Sequence, residues 1–295
     1  MTTATLDDTL RELFVQLPEM TPELHKAAVY ALENPNDVGV SSIRELAGLA
    51  AVKPNTLVRL SRACGYSGYD EFRAPFREEL RRGGLSFPDR ARWLQSLAQN
   101  SRLDGLYAAM ADSAMHNLQR TFAATGAPDI KVAADAIIGA RHTFVLGVGI
   151  NHTLARQFAY LADMALDNVH AIPRAGQLAT DDIARAGPED VLLVMTFKPY
   201  RAEVLSAVKL ARARGVQVIG ISDSPASPVV MGSPIRFVVQ TQTPQFFTST
   251  LATSALLETL MAFVIAEADP DVVDKIEQFH ARRTELGVYV DDEDA

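Results

Sequence analysis

Apolar side chains recur at helical spacing from the start of the chain. Leu10, Leu13, Phe14 and Leu17 form one set; Leu24, Ala27, Ala28 and Leu32 form a second, and Asn34-Pro35 ends that run. The pattern predicts an all-helical segment to about residue 84, without strands. Gly83-Gly84 and Pro88 break it. Helical stretches carrying Trp93, Leu94 and Leu97, then Leu103, Leu106 and Met110, read as a connector. From about residue 128 the pattern changes to short apolar runs of strand length: His142–Leu146, Val169–Ile172, Val191–Met195, Val216–Ile221 and Ile235–Val239. Helical segments such as Thr153–Leu166 and Ala202–Arg214 separate them. That βαβ alternation implies a parallel sheet covered on both faces. A last helix, Ser249–Glu267, is apolar on most sides, as expected of a buried helix or one in a subunit interface.

Within the first segment, Ser42-Ile-Arg-Glu45 has the spacing of a capping box, so a short helix begins there. Ile43, Leu46, Ala47 and Ala50 make its apolar face. Ala51-Val52-Lys53-Pro54 then forms a tight turn, with Pro54 suited to the first position of a second helix. Leu57 and Leu60 of that helix face inward. Asn55, Thr56, Arg59 and Arg62 are left on the other side, and Lys53 sits beside them. Two short helices at a tight turn, with polar and basic groups at the start of the second, suit insertion into a major groove: Arg pairs with guanine and Asn with adenine. Spacing alone also fits a plain helical hairpin with solvated arginines. Tyr66 and Tyr69 are expected to serve packing.

In the second half, His142–Leu146 runs into Gly147-Val-Gly149-Ile-Asn151-His152, a glycine-rich turn that lets backbone amides and a helix start approach an anion. The third glycine of the dinucleotide fingerprint is absent, which disfavours a nucleotide cofactor. If the strand order is flavodoxin-like, it reverses between the first and third strands. Ligands then sit between that turn and the loop Thr196-Phe-Lys198-Pro-Tyr-Arg201.

Charge sharpens the division. The chain of 295 residues has a net charge of −8, against a general nucleic-acid coat. From Val40 to Gly84, however, eight cations face five anions, a local +3. Asp291, Asp292, Glu293 and Asp294 form an acidic tail. No run reaches membrane-spanning length, and Asp7, Asp8, Glu12, Glu19 and Glu23 do not suit a signal peptide, so no membrane partner and a cytoplasmic location are expected. The lone Cys64 reads as a small buried side chain in a reducing compartment.

The sequence from Ser42 to Arg81, including Gly65-Tyr66-Ser67-Gly68-Tyr69 and Phe72, resembles the helix-turn-helix of the RpiR/MurR transcriptional regulators. One departure is Lys53, where such proteins carry a serine or similar cap. Residues 128–267, with Gly147-Val-Gly149, Ile221-Ser222-Asp223-Ser224-Pro225 and Phe246-Phe247-Thr248-Ser249-Thr250, resemble a SIS (sugar isomerase) domain. Here the departures lie in the ligand loops. Asn151 stands where the family has a serine, and Thr196 to Arg201 replaces a Ser-x-Ser-Gly-x-Thr pattern, exchanging hydroxyls for two cations.

Together these readings predict an α + α/β chain. An all-helical helix-turn-helix domain (1–84) and a helical linker (85–127) precede a SIS α/β domain (128–284) and an acidic tail (285–295). The resemblance implies a five-stranded parallel, flavodoxin-like sheet, phosphosugar binding and association through helices. Expected partners are a double-stranded DNA operator, a small anionic sugar-derived effector and a second copy in a homodimer or homotetramer. No cofactor or metal is expected. The DNA-reading candidates are Lys53, Asn55, Thr56, Arg59 and Arg62. The ligand candidates are Gly147, Gly149, Asn151, His152, Thr196, Lys198, Arg201 and Ser222. A sugar-phosphate isomerase with a helical appendage is the competing reading; it would draw an acid and a base from His152, Glu203 and Glu258, none of which sits in a catalytic motif.

Overall fold

The computed structural model describes residues 6–82, 87–99 and 103–289. The Gly83-Gly84 break and the acidic tail Asp291–Asp294 lie outside the described residues, as do the side chains of Phe14, Arg81 and Arg82. Contacts divide the chain into two units, Met1–Leu103 and Asp104–Ala295, at a point inside the span read as a linker.

The first unit comprises α1 (Leu6–Gln16), a 3-10 turn (Leu17–Glu19), α2 (Pro22–Glu33), α3 (Pro35–Val40), α4 (Ile43–Leu49), α5 (Pro54–Ala63), α6 (Tyr69–Arg82) and α7 (Phe87–Gln99). Leu13, Ala28, Leu46, Leu57, Leu60 and Phe72 form its core and exclude water almost completely. Asn34-Pro35 does end α2, but the chain starts another helix at once. Proline needs no amide partner at a first helical position, and Pro35 opens the short α3, which the apolar spacing did not foretell. Tyr66 and Phe72 meet edge to face at 5.6 Å, and Tyr69 is buried, so both tyrosines serve packing as expected. Burial pushes the Cys64 thiol up to about 11, with the Glu12 charge adding to the effect, which keeps it an inert core group.

Asp37 of α3 is buried, and a buried carboxylate is tolerable only with donors. The Tyr30 hydroxyl donates to it at 2.6 Å and the Trp93 indole N–H at 3.1 Å, which ties α7 into this unit. Trp93→Phe keeps the ring packing but removes one donor. It should lower stability by about 1–3 kcal/mol, read as a lower urea midpoint at unchanged slope; an unmoved midpoint would show that this bond adds nothing.

The second unit runs α8 (Leu103–Ala124), α9 (Ala127–Ile138), β1 (Thr143–Leu146), α10 (Ile150–Ala162), β2 (Val169–Ile172), α11 (Ala179–Ile183), β3 (Val191–Met195), α12 (Ala202–Ala213), β4 (Gln217–Ser222), β5 (Ile235–Val238), α13 (Leu251–Glu267) and α14 (Asp271–Glu285). Five parallel strands pair in the order β2-β1-β3-β4-β5, the flavodoxin-like order expected. Successive strand residues face opposite layers. Val145, Leu193 and Ile219 pack toward α9, α10 and α13, whereas Phe144, Leu192 and Val218 pack toward α11 and α12. Every residue of β1 and β3 is buried, as a sheet covered on both faces requires.

The expected helix boundaries shift in places. Helix α10 begins three residues early and ends at Ala162, because the turn at Gly149 already sets its first residue. Helix α13 starts at Leu251 rather than Ser249. Its burial is accounted for within the unit, since Ala252, Leu256, Leu260 and Val264 enter the core beside α9. Helix α14 was not foreseen; its only fully buried residue is Val272, so its apolar spacing is thin.

Candidate functional site

At the start of α4, Ser42 Oγ accepts from the Glu45 amide at 3.4 Å and the Glu45 carboxylate accepts from the Ser42 amide at 2.7 Å, closing the expected capping box. The helix ends when the Val52 amide donates to Ala47 O at 2.9 Å. That closure puts Ala51 at φ 49°, a left-handed conformation that disfavours a Cβ. Lys26 Nζ donates to the Ala51 carbonyl at 3.1 Å, bracing the turn from α2. Pro54 takes the first position of α5, and Lys53 precedes it with no side-chain cap.

Helix α5 buries Thr56, Leu57, Leu60 and Ser61 and exposes Lys53, Asn55, Arg59 and Arg62. Thr56 therefore corrects the sequence reading. It is only 8% exposed, because it adjoins Leu57 and precedes Leu60 by one turn, placing it on the inner face. The other four candidates share the solvent side, and no hydrogen bond or ion pair engages the side chain of Lys53, Arg59 or Arg62 among the described residues. Arg73, counted in the basic segment, instead donates to Gly39 O at 3.1 Å and serves the fold.

In the second unit the candidates gather at the carboxyl ends of β1, β3 and β4. Gly147 is obligatory: a Cβ there would stand 2.2 Å from the carbonyl oxygen of Asn151, in the first turn of α10. Gly149, at φ 64° and ψ −130°, holds a conformation that side chains resist. His152 Nδ1 lies 3.2 Å from Gly147 O and braces this turn in its Nδ1–H form. Asn151 is 9% exposed, and its buried Oδ1 has no hydrogen-bond partner.

On the β3 side, Thr196 and Ser222 are fully buried, and the Ser222 hydroxyl donates to Thr196 O at 2.6 Å. The Ser222 hydroxyl thus ties β4 to β3, and the Thr196 side chain is enclosed at the same edge. Lys198 and Arg201 are exposed. Arg201 Nε pairs with Glu203 at 3.3 Å, a contact weakened by solvent. Sequence reasoning missed Asp223, one residue past the Ser222 it had singled out. Its carboxylate accepts from the Lys198 amide and from the Tyr200 hydroxyl, both at 3.3 Å. Burial raises the Tyr200 hydroxyl above its usual range, so it remains a donor at neutral pH. Pro199 lacks an N–H and the Lys198 amide is engaged, so the donors this loop exposes are the side chains of Lys198 and Arg201.

A model of the helix-turn-helix domain of the rpiR family matches residues 8–83, and a model of the SIS domain matches residues 136–266. The chain is an rpiR-family helix-turn-helix joined to a SIS domain. The HTH-type transcriptional regulator HexR of Pseudomonas aeruginosa is 24% identical over 229 residues, covering 77% of this chain and 76% of HexR. Two solved structures share the fold. The sugar isomerase domain of an RpiR transcription factor from Sphaerobacter thermophilus has a TM-score of 0.56 at 20% identity, over 60% of this chain and 98% of that one. The Vibrio vulnificus NanR protein, solved with ManNAc-6P, has a TM-score of 0.55 at 21% identity, over 94% and 99%.

The rpiR-type reader separates side chains by face, and substitutions test that separation. Arg59→Ala should cost about 1–3 kcal/mol of affinity for the operator, whereas Thr56→Val, on the inner face, should leave it within about twofold. Titrations of labelled operator and random duplex with the full chain decide it. Equal loss on both duplexes for Arg59→Ala would make this side chain a phosphate contact, and a large loss for Thr56→Val at unchanged stability would return Thr56 to the reading surface.

Proposed function

We propose that this chain is a transcriptional regulator whose operator binding is controlled by a small anionic sugar derivative, a phosphosugar or a sugar acid, held at the carboxyl edge of the SIS sheet. The observation that carries this reading is the union in one chain of an rpiR-type reader, with unengaged cations along α5, and a SIS domain of five-stranded order. A strand-order reversal flanks β1, and ligands of doubly wound sheets collect there. The effector's anion sits between the Gly147–Gly149 turn and the side chains of Lys198 and Arg201.

None of the acid and base candidates of the isomerase reading sits in a catalytic motif, and each has a structural contact. His152 is occupied with Gly147 O, Glu203 with Arg201, and Glu258 accepts from Ser254 Oγ at 3.3 Å and Gln157 Nε2 at 3.4 Å. The protein acts as a homodimer or homotetramer, because one short helix reads few bases and a symmetric assembly reads two half-sites. Its place is the cytoplasm, where an operator-binding regulator meets both DNA and a metabolite effector and where the lone thiol of Cys64 stays reduced.

A thermal-shift screen of phosphosugars and sugar acids against the full chain should find a stabilising effector, and footprinting should show an inverted repeat whose occupancy that effector changes. Two substitutions then act in opposite directions. Lys198→Ala removes a charge-assisted contact and should weaken effector binding about tenfold. Asp223→Asn removes a carboxylate next to the anion and should strengthen it severalfold, by about 1 kcal/mol. Calorimetry that found both variants unchanged would place the effector elsewhere, and sugar turnover without operator affinity would support the isomerase reading.

A further inference from the structure

Helix α8 is the first element of the second unit and follows directly on the boundary at Leu103. Two of its side chains are polar and fully buried, Asn117 and Thr121. Both are spent on the backbone of one segment, residues 239–250, between β5 and α13. Asn117 Nδ2 donates to Gln242 O at 2.6 Å, and the Gln240 amide donates to Thr121 Oγ1 at 3.0 Å. The segment closes on itself where the Ser249 amide meets Thr241 O at 3.2 Å. Its first residue is pinned to the sheet edge, since the Val239 amide donates to Ser222 O at 2.9 Å. Ser222 is bonded to Thr196, and its neighbour Asp223 accepts from the Lys198 amide. Contact therefore runs without a gap from the Lys198 loop through Ser222 and Asp223 to Val239, Gln240 and Gln242, and on to Thr121 and Asn117.

We propose that α8 is the output lever of the effector site: a shift of the Thr196–Arg201 loop around a bound anion is passed through segment 239–250 to Asn117 and Thr121, and so to the helix that leads back to the DNA reader. This rests on reading the carboxyl edge of the sheet as the effector site. Buried polar groups on a helix face cost stability unless satisfied, so apolar residues would hold α8 down more firmly. What the amide and the hydroxyl supply is register. Asn117 also leaves its Oδ1 buried without a partner. That acceptor is open to a backbone N–H of segment 239–250 in a second arrangement, and two discrete pairings of one amide make the two-state element that coupling between sites needs.

Hydrogen–deuterium exchange on the full chain tests the lever with and without ligand. Thr121→Val is nearly isosteric; Asn117→Asp places an acceptor against Gln242 O and drives the segment away. Without ligand, each variant should speed exchange about fivefold in segment 239–243 and also in the loop 196–201. Faster exchange confined to α8 and 239–243 would make these contacts local struts and overturn the proposal. Inorganic phosphate, compared with chloride at equal ionic strength, then serves as the anion probe. In the unmodified chain it should slow exchange in 147–153, 196–201, 239–243 and α8 together, and in Thr121→Val only in the first two. Protection of the two loops with α8 unchanged in the unmodified chain would equally overturn it. If phosphate protects neither loop, the reading of the effector site fails, while the ligand-free comparison still decides the lever.

Discussion

Parallel strands buried on both faces leave polar chemistry one place to go, the loops at their ends, and the second unit follows from that constraint. Because α9, α10 and α13 cover one layer and α11 and α12 the other, the central strand β3 is apolar and buried at every position. The strand order reverses beside β1, and the glycine turn before α10 lies at the carboxyl end of that strand. That turn is held from three sides: by the Asn151 carbonyl over Gly147, by the backbone angle at Gly149 and by the His152 ring. In the proposed site, that turn would give a small ligand a fixed surface.

The helical unit meets a different demand, to present one helix outward from a small core. Leu57 and Leu60 anchor α5, while the turn before it departs from the most comfortable chemistry twice. Ala51 accepts a left-handed backbone, and Lys53 precedes the helix without offering a cap. Each departure costs stability by about the size of a weak hydrogen bond. The α2 lysine at the Ala51 carbonyl offsets part of it. The gain is a cation beside the helix start, where a phosphate backbone would lie.

Electrostatics at the sheet edge are mixed rather than uniformly basic. The loop after β3 carries two exposed cations, yet its first amide is engaged by Asp223 and its next residue is proline. Hydroxyls and backbone donors would hold a phosphate by geometry, whereas long cationic side chains hold an anion by charge and adapt to its shape.

The sequence by itself determined what depends on neighbours a few residues apart. Strand spans followed from short β-branched runs, the start of α4 from its capping box, the position of Pro54 in α5 from proline's missing amide, and the turn before α10 from its two glycines. The family resemblance extended this to strand order. Tertiary structure decided everything set by distant partners. Thr56 turned inward because the body of the unit lies on that side of α5, and Ser222 became a tie because Thr196 O lies across the strand pair. Asp223 entered the site through a residue 25 positions away. Asn117 and Thr121 met their partners across 125 and 119 positions. Periodicity records which side of an element is apolar; which backbone group will be waiting there is fixed only when the chain has folded.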